Sequence, residues 1–183
     1  MSTIYLMMIV FLFALAIIDL WVGVSNDAVN FLNSAVGSKV TSLKKIIFIA
    51  AIGVFVGAAA SNGMMDIARH GIFRPEQFSF EEIMCIFMAV MLTDVILLDV
   101  FNSLGMPTST TVSLVFELLG GTFCLACIKI AGDATGALNF YSLLNTGKAL
   151  EVILGIFLSV GIAFVVGTLV QWLARLIFTF NYT

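Results

Sequence analysis

The chain has 183 residues, of which 61% are apolar and 10% are charged, whereas roughly a quarter of the residues in soluble domains are charged. Its mean hydropathy is +1.15. These values exclude a soluble globular domain, and a net charge of −3 without a basic stripe excludes a nucleic-acid-binding protein. We therefore expect an all-α integral membrane protein.

Five apolar stretches are long enough, or nearly so, to cross a bilayer, which takes about 20 residues as a helix. In chain order they are Ile4–Val22, Ile46–Gly63, Ile83–Leu104, Val112–Ala131 and Ala149–Phe178. Helices are expected rather than barrel strands, because the stretches are long and continuous and lipid cannot satisfy free backbone groups. The first stretch is expected to be retained, since no positive residue precedes it and no small-residue cleavage site follows it. The last one exceeds the bilayer and is expected to tilt or to reach the interface at Trp172 and Arg175.

The connections between these stretches do not decide the orientation in the membrane. Lys39–Lys45 carries three lysines and Met64–Glu82 carries two arginines, which is too small a difference for the rule that positive loops face the cytoplasm. The third long connection, Gly132–Lys148, is polar and rich in Gly, Asn and Thr.

The three cysteines, Cys85, Cys124 and Cys127, all lie in apolar stretches. The spacing of the last two suggests a redox or metal site, but there is no second pair, and the single histidine, His70, lies in a connection. We interpret the cysteines as packing residues. An enzyme is not expected either, because no nucleophile has a positioned base.

Two segments are small and polar yet adjoin apolar spans, so we expect re-entrant or broken helical segments that line a cavity. The first is Gly23–Ser38, and its polar side chains are Ser25, Asn26, Asp27, Asn30, Asn33 and Ser34. If the segment is helical, spacings of three and four bring the amides together. The bracketing glycines suit a helix break at each end, with Ser25 or Asn26 as a cap whose helix faces an anion. Asp27 is suited to hold a hard cation such as Na⁺ or to carry a proton.

The second segment is Gly105–Thr111, in which four hydroxyl residues follow Pro107: Thr108, Ser109, Thr110 and Thr111. We predict a helix N-terminus here, with proline in the first turn and a span beginning near Val112. Free N–H groups and hydroxyl donors suit an oxyanion that is bound and then released, whereas a cluster of arginines would hold it more tightly. Broken helices that meet near the midplane are a recurring way to build transporter sites.

Four further acidic residues lie in or beside the spans. Glu117 follows Thr110 by seven residues and Ser113 by four, so it shares their helix face and is a second candidate for cation binding. Asp99 shares a face with Asn102, and Asp94 points elsewhere and has no evident partner. Asp19 precedes the first polar segment and could lie at the interface.

Both polar segments resemble the motifs of the inorganic phosphate transporter (PiT) family. The family's Gly-x-Asn-Asp-x-x-Asn run leading to Val-Gly-Ser is similar to GVSNDAVNFLNSAVGS, with one inserted residue after Gly23. Its Leu-Pro-x-Ser-Thr-Thr-His element is similar to MPTSTTV at Met106–Val112. The order also agrees, and the chain looks closest to the branch found in Bacteroidetes-type bacteria.

The resemblance implies an inverted-repeat helical transporter in the cell inner (plasma) membrane that moves inorganic phosphate with Na⁺ or H⁺ and has no other cofactor. Phosphate would be bound by Ser25, Asn26, Asn30, Thr108, Ser109, Thr110 and Thr111. The cation would be bound by Asp27, Asn30 and Glu117, with Asp27 as the Na⁺ ligand.

Three departures from the family pattern bear on this interpretation. Val112 occupies the place of the usual His, and Ile46–Gly63 lacks the Glu that many members carry. The family has two copies of its signature, whereas this chain has one Asn-Asp-x-x-Asn and no visible internal repeat. We therefore expect residues 1–183 to form one transmembrane domain that is half of a transporter, in lipid, and that needs a second half or a homodimer partner.

Two alternatives stay open besides phosphate symport. A sulfate permease of the same fold is one, although phosphate can donate a proton to Asp27 and sulfate cannot. A non-transporting membrane subunit is the other, because small polar residues also serve helix packing. The Asn-Asp segment favours a functional site, since buried carboxylates are costly and usually functional.

Overall fold

The computed structural model describes residues 3–61, 71–133 and 138–178. Its long helices are α1 (Thr3–Gly37), α2 (Leu43–Ala60), α3 (Phe80–Leu104), α4 (Thr110–Gly132) and α6 (Thr146–Ile177). All five are long and apolar enough to cross a membrane, which confirms the predicted all-α membrane fold. A 3₁₀ turn at Pro75–Gln77 and the short α5 (Phe140–Leu143) lie in the connections. His70 lies outside the described residues.

Helix α1 passes through the first polar segment without interruption, so the predicted break at Gly23 is wrong. The backbone stays helical because polar side chains find partners without opening it: Ser25 Oγ donates to Trp21 O at 2.8 Å, one turn back. A Cβ at Gly23 would lie 3.6 Å from Leu98 Cδ1 and 3.7 Å from Thr110 Cγ2. Gly23 therefore marks a close helix contact. The predicted end at Gly37 is confirmed, and Ser25 and Asn26 cannot act as caps.

The second polar segment interrupts the helices as predicted. Helix α3 ends at Gly105, which has a φ of +68°, a conformation that favours glycine. Helix α4 begins at Thr110, and its N-cap Ser109 accepts a hydrogen bond from Val112 N at 3.4 Å. Pro107 thus precedes the cap and does not lie in the first helical turn.

Helices α1, α3 and α4 pack into one layer. Tyr5 on α1 donates to Glu81 on α3, and the Asn26 and Asn102 side chains of the same helices are hydrogen-bonded, so the two helices run parallel. Helix α4 runs antiparallel to α3, because Lys129 near its end reaches Glu82 at 2.8 Å. Glu82 also completes a capping box with Ser79 at the start of α3. These end contacts fix the register in which polar side chains meet along the layer.

Further contacts lie at the end of this three-helix layer where α3 begins. Phe73 forms an isolated antiparallel bridge with Leu144, and both are buried. Residues up to Asn145 form one compact unit, and those from Thr146 onward, with α6, form another. Within the second unit, Lys148 Nζ contacts Glu151 Oε2 at 2.9 Å, and Arg175 lies in the last turn of α6.

The cysteines lie on outward helix surfaces. Cys85, Cys124 and Cys127 are free and exposed, so the interpretation that they pack inside this chain is wrong. Most large apolar side chains are also exposed. Exposed apolar side chains are typical of membrane helices, whose outer faces meet lipid or other helices, because hydrocarbon does not drive apolar side chains inward.

Candidate functional site

Asn26 links α1 to the interruption between α3 and α4. It exposes only 1% of its surface. Its Nδ2 donates to Asn102 Oδ1 at 2.8 Å, and its Oδ1 accepts from the backbone N–H of Thr108 at 2.8 Å. Asn102 Nδ2 donates in turn to Val22 O at 3.2 Å. The amide therefore fixes the position of the segment that leads into α4.

The two polar segments also contact each other directly, through side chains close to Asn26 and Thr108. Thr110 Oγ1 donates to Asp27 Oδ2 at 2.9 Å, and Asn30 Nδ2 donates to Thr108 O at 3.2 Å. Asp27 and Thr110 are both partly buried. The structure thus brings the predicted carboxylate and the predicted hydroxyl run to one place.

The first turn of α4 is suited to an anion. The first N–H groups of a helix lack partners within the helix, and the helix dipole favours negative charge there. Val112 N is bonded to the Ser109 hydroxyl, and Ser113 N to Ser109 O. Among the described hydrogen bonds, none uses the N–H groups of Thr110 or Thr111. Those two donors lie in the same helical turn as the Thr110 hydroxyl, which is bonded to the Asp27 carboxylate.

Not every predicted ligand joins this group. The Ser25 hydroxyl is exposed and is bonded to its own helix, so it lies outside the group. Ser109 and Thr111 are also exposed, but they lie in the first turn of α4 itself. Asn30 is exposed as well, although its amide holds the Thr108 carbonyl. Glu117 lies two turns beyond Thr110, where Ser113 Oγ donates to its Oε1 at 3.0 Å.

The sequence did not reveal the roles of two side chains of this region, Asp94 and Asn102. Asp94, interpreted as having no partner, exposes 4% of its surface and interacts with the side chains of Asp19 and Ser113. Asn102 is hydrogen-bonded to Asn26, whereas none of the described hydrogen bonds involves Asp99 on the same helix. The spacing of Asp94, Leu98 and Asn102 at every fourth residue is the signal that could have identified this face.

A metal site built from several acidic, histidine or cysteine ligands is not present among the described residues, which contain no such group of three or more. Asp27 contributes one carboxylate beside hydroxyl and amide oxygens. This donor set suits a monovalent cation or a proton better than a transition metal, which prefers imidazole or thiolate ligands.

Comparison with known proteins places the chain in a family. The sequence pattern of the phosphate transporter family matches residues 23–182. The chain is 29% identical over 141 residues to "Putative phosphate permease TK2061" of Thermococcus kodakarensis, a match that covers 76% of this chain and 32% of that protein. The chain therefore corresponds to about a third of that relative's length. No solved structure matches it. Since the family pattern covers both polar segments and all five long helices except the start of α1, the chain belongs to the phosphate transporter family.

Proposed function

We propose that the chain forms the N-terminal half of a cation-coupled inorganic phosphate symporter of the cell inner membrane. The observation that carries the proposal is the hydrogen bond from Thr110 to Asp27, which joins the two polar segments. Family membership supports phosphate as the transported anion.

Phosphate binds at the first turn of α4 in this proposal. The N–H groups of Thr110 and Thr111 and the hydroxyls of Thr108 and Ser109 supply donors without a permanent positive charge. Such donors hold an oxyanion while allowing its release. Asn26 and Asn30 keep this turn against α1 through Thr108.

A cation accompanies the anion for an electrostatic reason. A phosphate at the first turn of α4 lies close to the Asp27 carboxylate, which already accepts from Thr110. Two like charges in a low-dielectric site repel by several kcal/mol, on the order of 4 kcal/mol at 4 Å even with an effective dielectric constant of 20. Na⁺ or H⁺ at Asp27, with Asn30 as a further ligand, removes this repulsion and couples the two movements.

The second half completes the site. A single Asn-Asp-x-x-Asn signature and a match to about a third of a longer relative support a half-transporter. An inverted repeat, in the same polypeptide or in a partner copy, would place its own interrupted helix opposite α4. Alternating access then exposes the shared site to each side in turn.

Radiolabelled phosphate uptake by the complete protein in proteoliposomes tests the proposal. We expect uptake that unlabelled phosphate abolishes and sulfate leaves nearly unchanged, because only phosphate can donate a proton to a carboxylate such as Asp27. Full competition by sulfate would instead identify a sulfate permease.

The variants Asp27→Asn and Asp99→Asn separate transport from a packing role. Asp27→Asn is expected to lose uptake, whereas Asp99→Asn, which changes an exposed acid on α3, is expected to retain it. Normal uptake by Asp27→Asn would support the non-transporting membrane subunit and overturn the proposal.

A further inference from the structure

A second group of carboxyl side chains lies along the same helix layer, away from the first turn of α4. Its members come from three helices: Asp19 from α1, Asp94 from α3 and Glu117 from α4. Asp94 is the central one and is 4% exposed. None of the roles proposed above uses Asp19 or Asp94.

The polar groups that interact with Asp94 come from α1 and α4. The Asp19 and Asp94 carboxyls lie within hydrogen-bonding distance of each other, and Ser113 lies within reach of Asp94. Ser113 Oγ also donates to Glu117 Oε1 at 3.0 Å. Asp27, two turns further along α1, is near enough to Asp94 to interact with it electrostatically. Among the described residues, the polar groups that interact with Asp94 are thus Asp19, Asp27, Glu117 and Ser113.

One oxygen of each carboxyl is buried and unsatisfied. Asp19 Oδ1, Asp94 Oδ1 and Glu117 Oε2 accept no hydrogen bond from the described residues. The ion pairs of the described ranges are Lys129 with Glu82 and Lys148 with Glu151, so no lysine or arginine there neutralises the group. A buried oxygen of this kind requires a ligand, because an uncompensated buried charge is strongly destabilising.

A proton satisfies these groups better than a metal ion does. Two ionised carboxylates at hydrogen-bonding distance repel, whereas a carboxylic acid donates to a carboxylate and the pair then carries a single charge. Metal coordination would need several ligands around one point, and the described residues contain no group of three acidic, histidine or cysteine ligands with that geometry.

We propose that Asp19 and Asp94 form a proton-binding pair within the membrane, separate from the Asp27–Thr110 site. Glu117 exchanges the proton with the outside through a cavity of about 240 Å³ that it lines with Thr93, Gly120 and Gly121. The Ser113 hydroxyl, placed between Glu117 and Asp94, passes the proton inward by accepting from one and donating to the other. This inference rests on the proposed function and identifies H⁺ as a coupling ion.

Infrared difference spectroscopy of the complete protein in proteoliposomes tests the shared proton. We expect the wild type to show the C=O stretch of a protonated carboxyl that shifts in heavy water and persists when Na⁺ replaces choline. The band should be lost in Asp94→Asn and Asp19→Asn and kept in Asp99→Asn, the matched control on α3. A band that disappears on Na⁺ addition, or that survives both substitutions, would overturn the proposal.

Two transport assays separate this inference from the proposed function. Proton-gradient-driven phosphate uptake should fall about a hundredfold or more in Asp94→Asn, the typical effect of removing a positioned proton carrier. Exchange of internal for external phosphate, which needs no net proton movement, should continue in the same variant. If the wild type neither accumulates nor exchanges phosphate, the proposed function fails. If it does both and Asp94→Asn retains gradient-driven uptake, only the proton pair is wrong.

Discussion

Asn26 has the largest structural role of the single residues around the site. Its amide is buried and forms hydrogen bonds to Asn102 and to the backbone of Thr108 at 2.8 Å each. It therefore holds three chain segments in register with one side chain. The adjacent Asp27 and Asn30 reach the start of α4 only because this register is kept.

Replacing Asn26 should weaken both folding and transport. Asn26→Ala leaves the Thr108 N–H and the Asn102 Oδ1 without hydrogen-bond partners, and we expect a loss of about 1–2 kcal/mol in the free energy of unfolding. Asn33→Ala on the same helix removes an exposed amide and should change stability little. Thermal unfolding in detergent measures both. Equal melting temperatures for the two variants would contradict the role given to Asn26.

The sequence was sufficient to select Asp27 and Thr110 as candidates, because a carboxylate and a hydroxyl run in apolar surroundings are conspicuous in themselves. The structure joins these two side chains by a hydrogen bond. The sequence was not sufficient for Asp94 or Asn102. Helical spacing shows which residues share a face, but not which face meets a neighbouring helix. Helical spacing places Asn102 near Asp99 and also near Asp94, and the sequence does not favour either grouping. Only the packing of α3 against α1 shows that Asp94 and Asn102 lie on the contact face.

Among the elements, the break between α3 and α4 positions the candidate anion site. Gly105 ends α3 with positive φ, and four residues later Ser109 caps α4. Prediction from the sequence succeeded here because glycine, proline and hydroxyl residues follow one another. It failed for α1, where the same reasoning placed a break at Gly23. There the glycine accommodates Leu98 and Thr110, a reason that depends on helices far away in the sequence.

The break can be tested with two glycine substitutions. Gly105→Ala should destabilise the protein by roughly 1–2 kcal/mol, since alanine is strained in the left-handed region. Gly53→Ala in the middle of α2 should stabilise it by about 0.5–1 kcal/mol. Neither new Cβ would meet an atom within 4 Å, so the difference is purely conformational. Equal unfolding free energies for the two variants would argue against the turn at Gly105.

On the scale of the whole molecule, the exposed apolar surface is the main feature. Apolar composition and segment length alone predicted all five long helices, because the bilayer sets both quantities. The outward position of the cysteines was not predictable, since membrane helices are apolar on every side and the sequence does not distinguish lipid-facing from packed faces.

Cysteine labelling in native membranes tests this arrangement. A water-soluble maleimide should leave Cys85, Cys124 and Cys127 unmodified in intact membranes, because lipid shields them, and should modify all three after denaturation. The variant Thr41→Cys, in the exposed connection between α1 and α2, should be labelled in both states. Site-resolved mass spectrometry identifies the modified residues. Labelling of the three natural cysteines in intact membranes would contradict the assigned spans.

The central claim is that phosphate is bound where α1 meets the first turn of α4. Equilibrium binding of radiolabelled phosphate to the complete protein, with Thr110→Val and Thr110→Ser compared, tests it most directly. Thr110→Val removes the hydroxyl that donates to Asp27, an interaction of about 1.5–3 kcal/mol, and leaves that carboxylate uncompensated beside the anion. Phosphate binding should therefore weaken about tenfold or more. Thr110→Ser keeps the hydroxyl and should bind phosphate nearly as the wild type does. Wild-type affinity in Thr110→Val would contradict the claim.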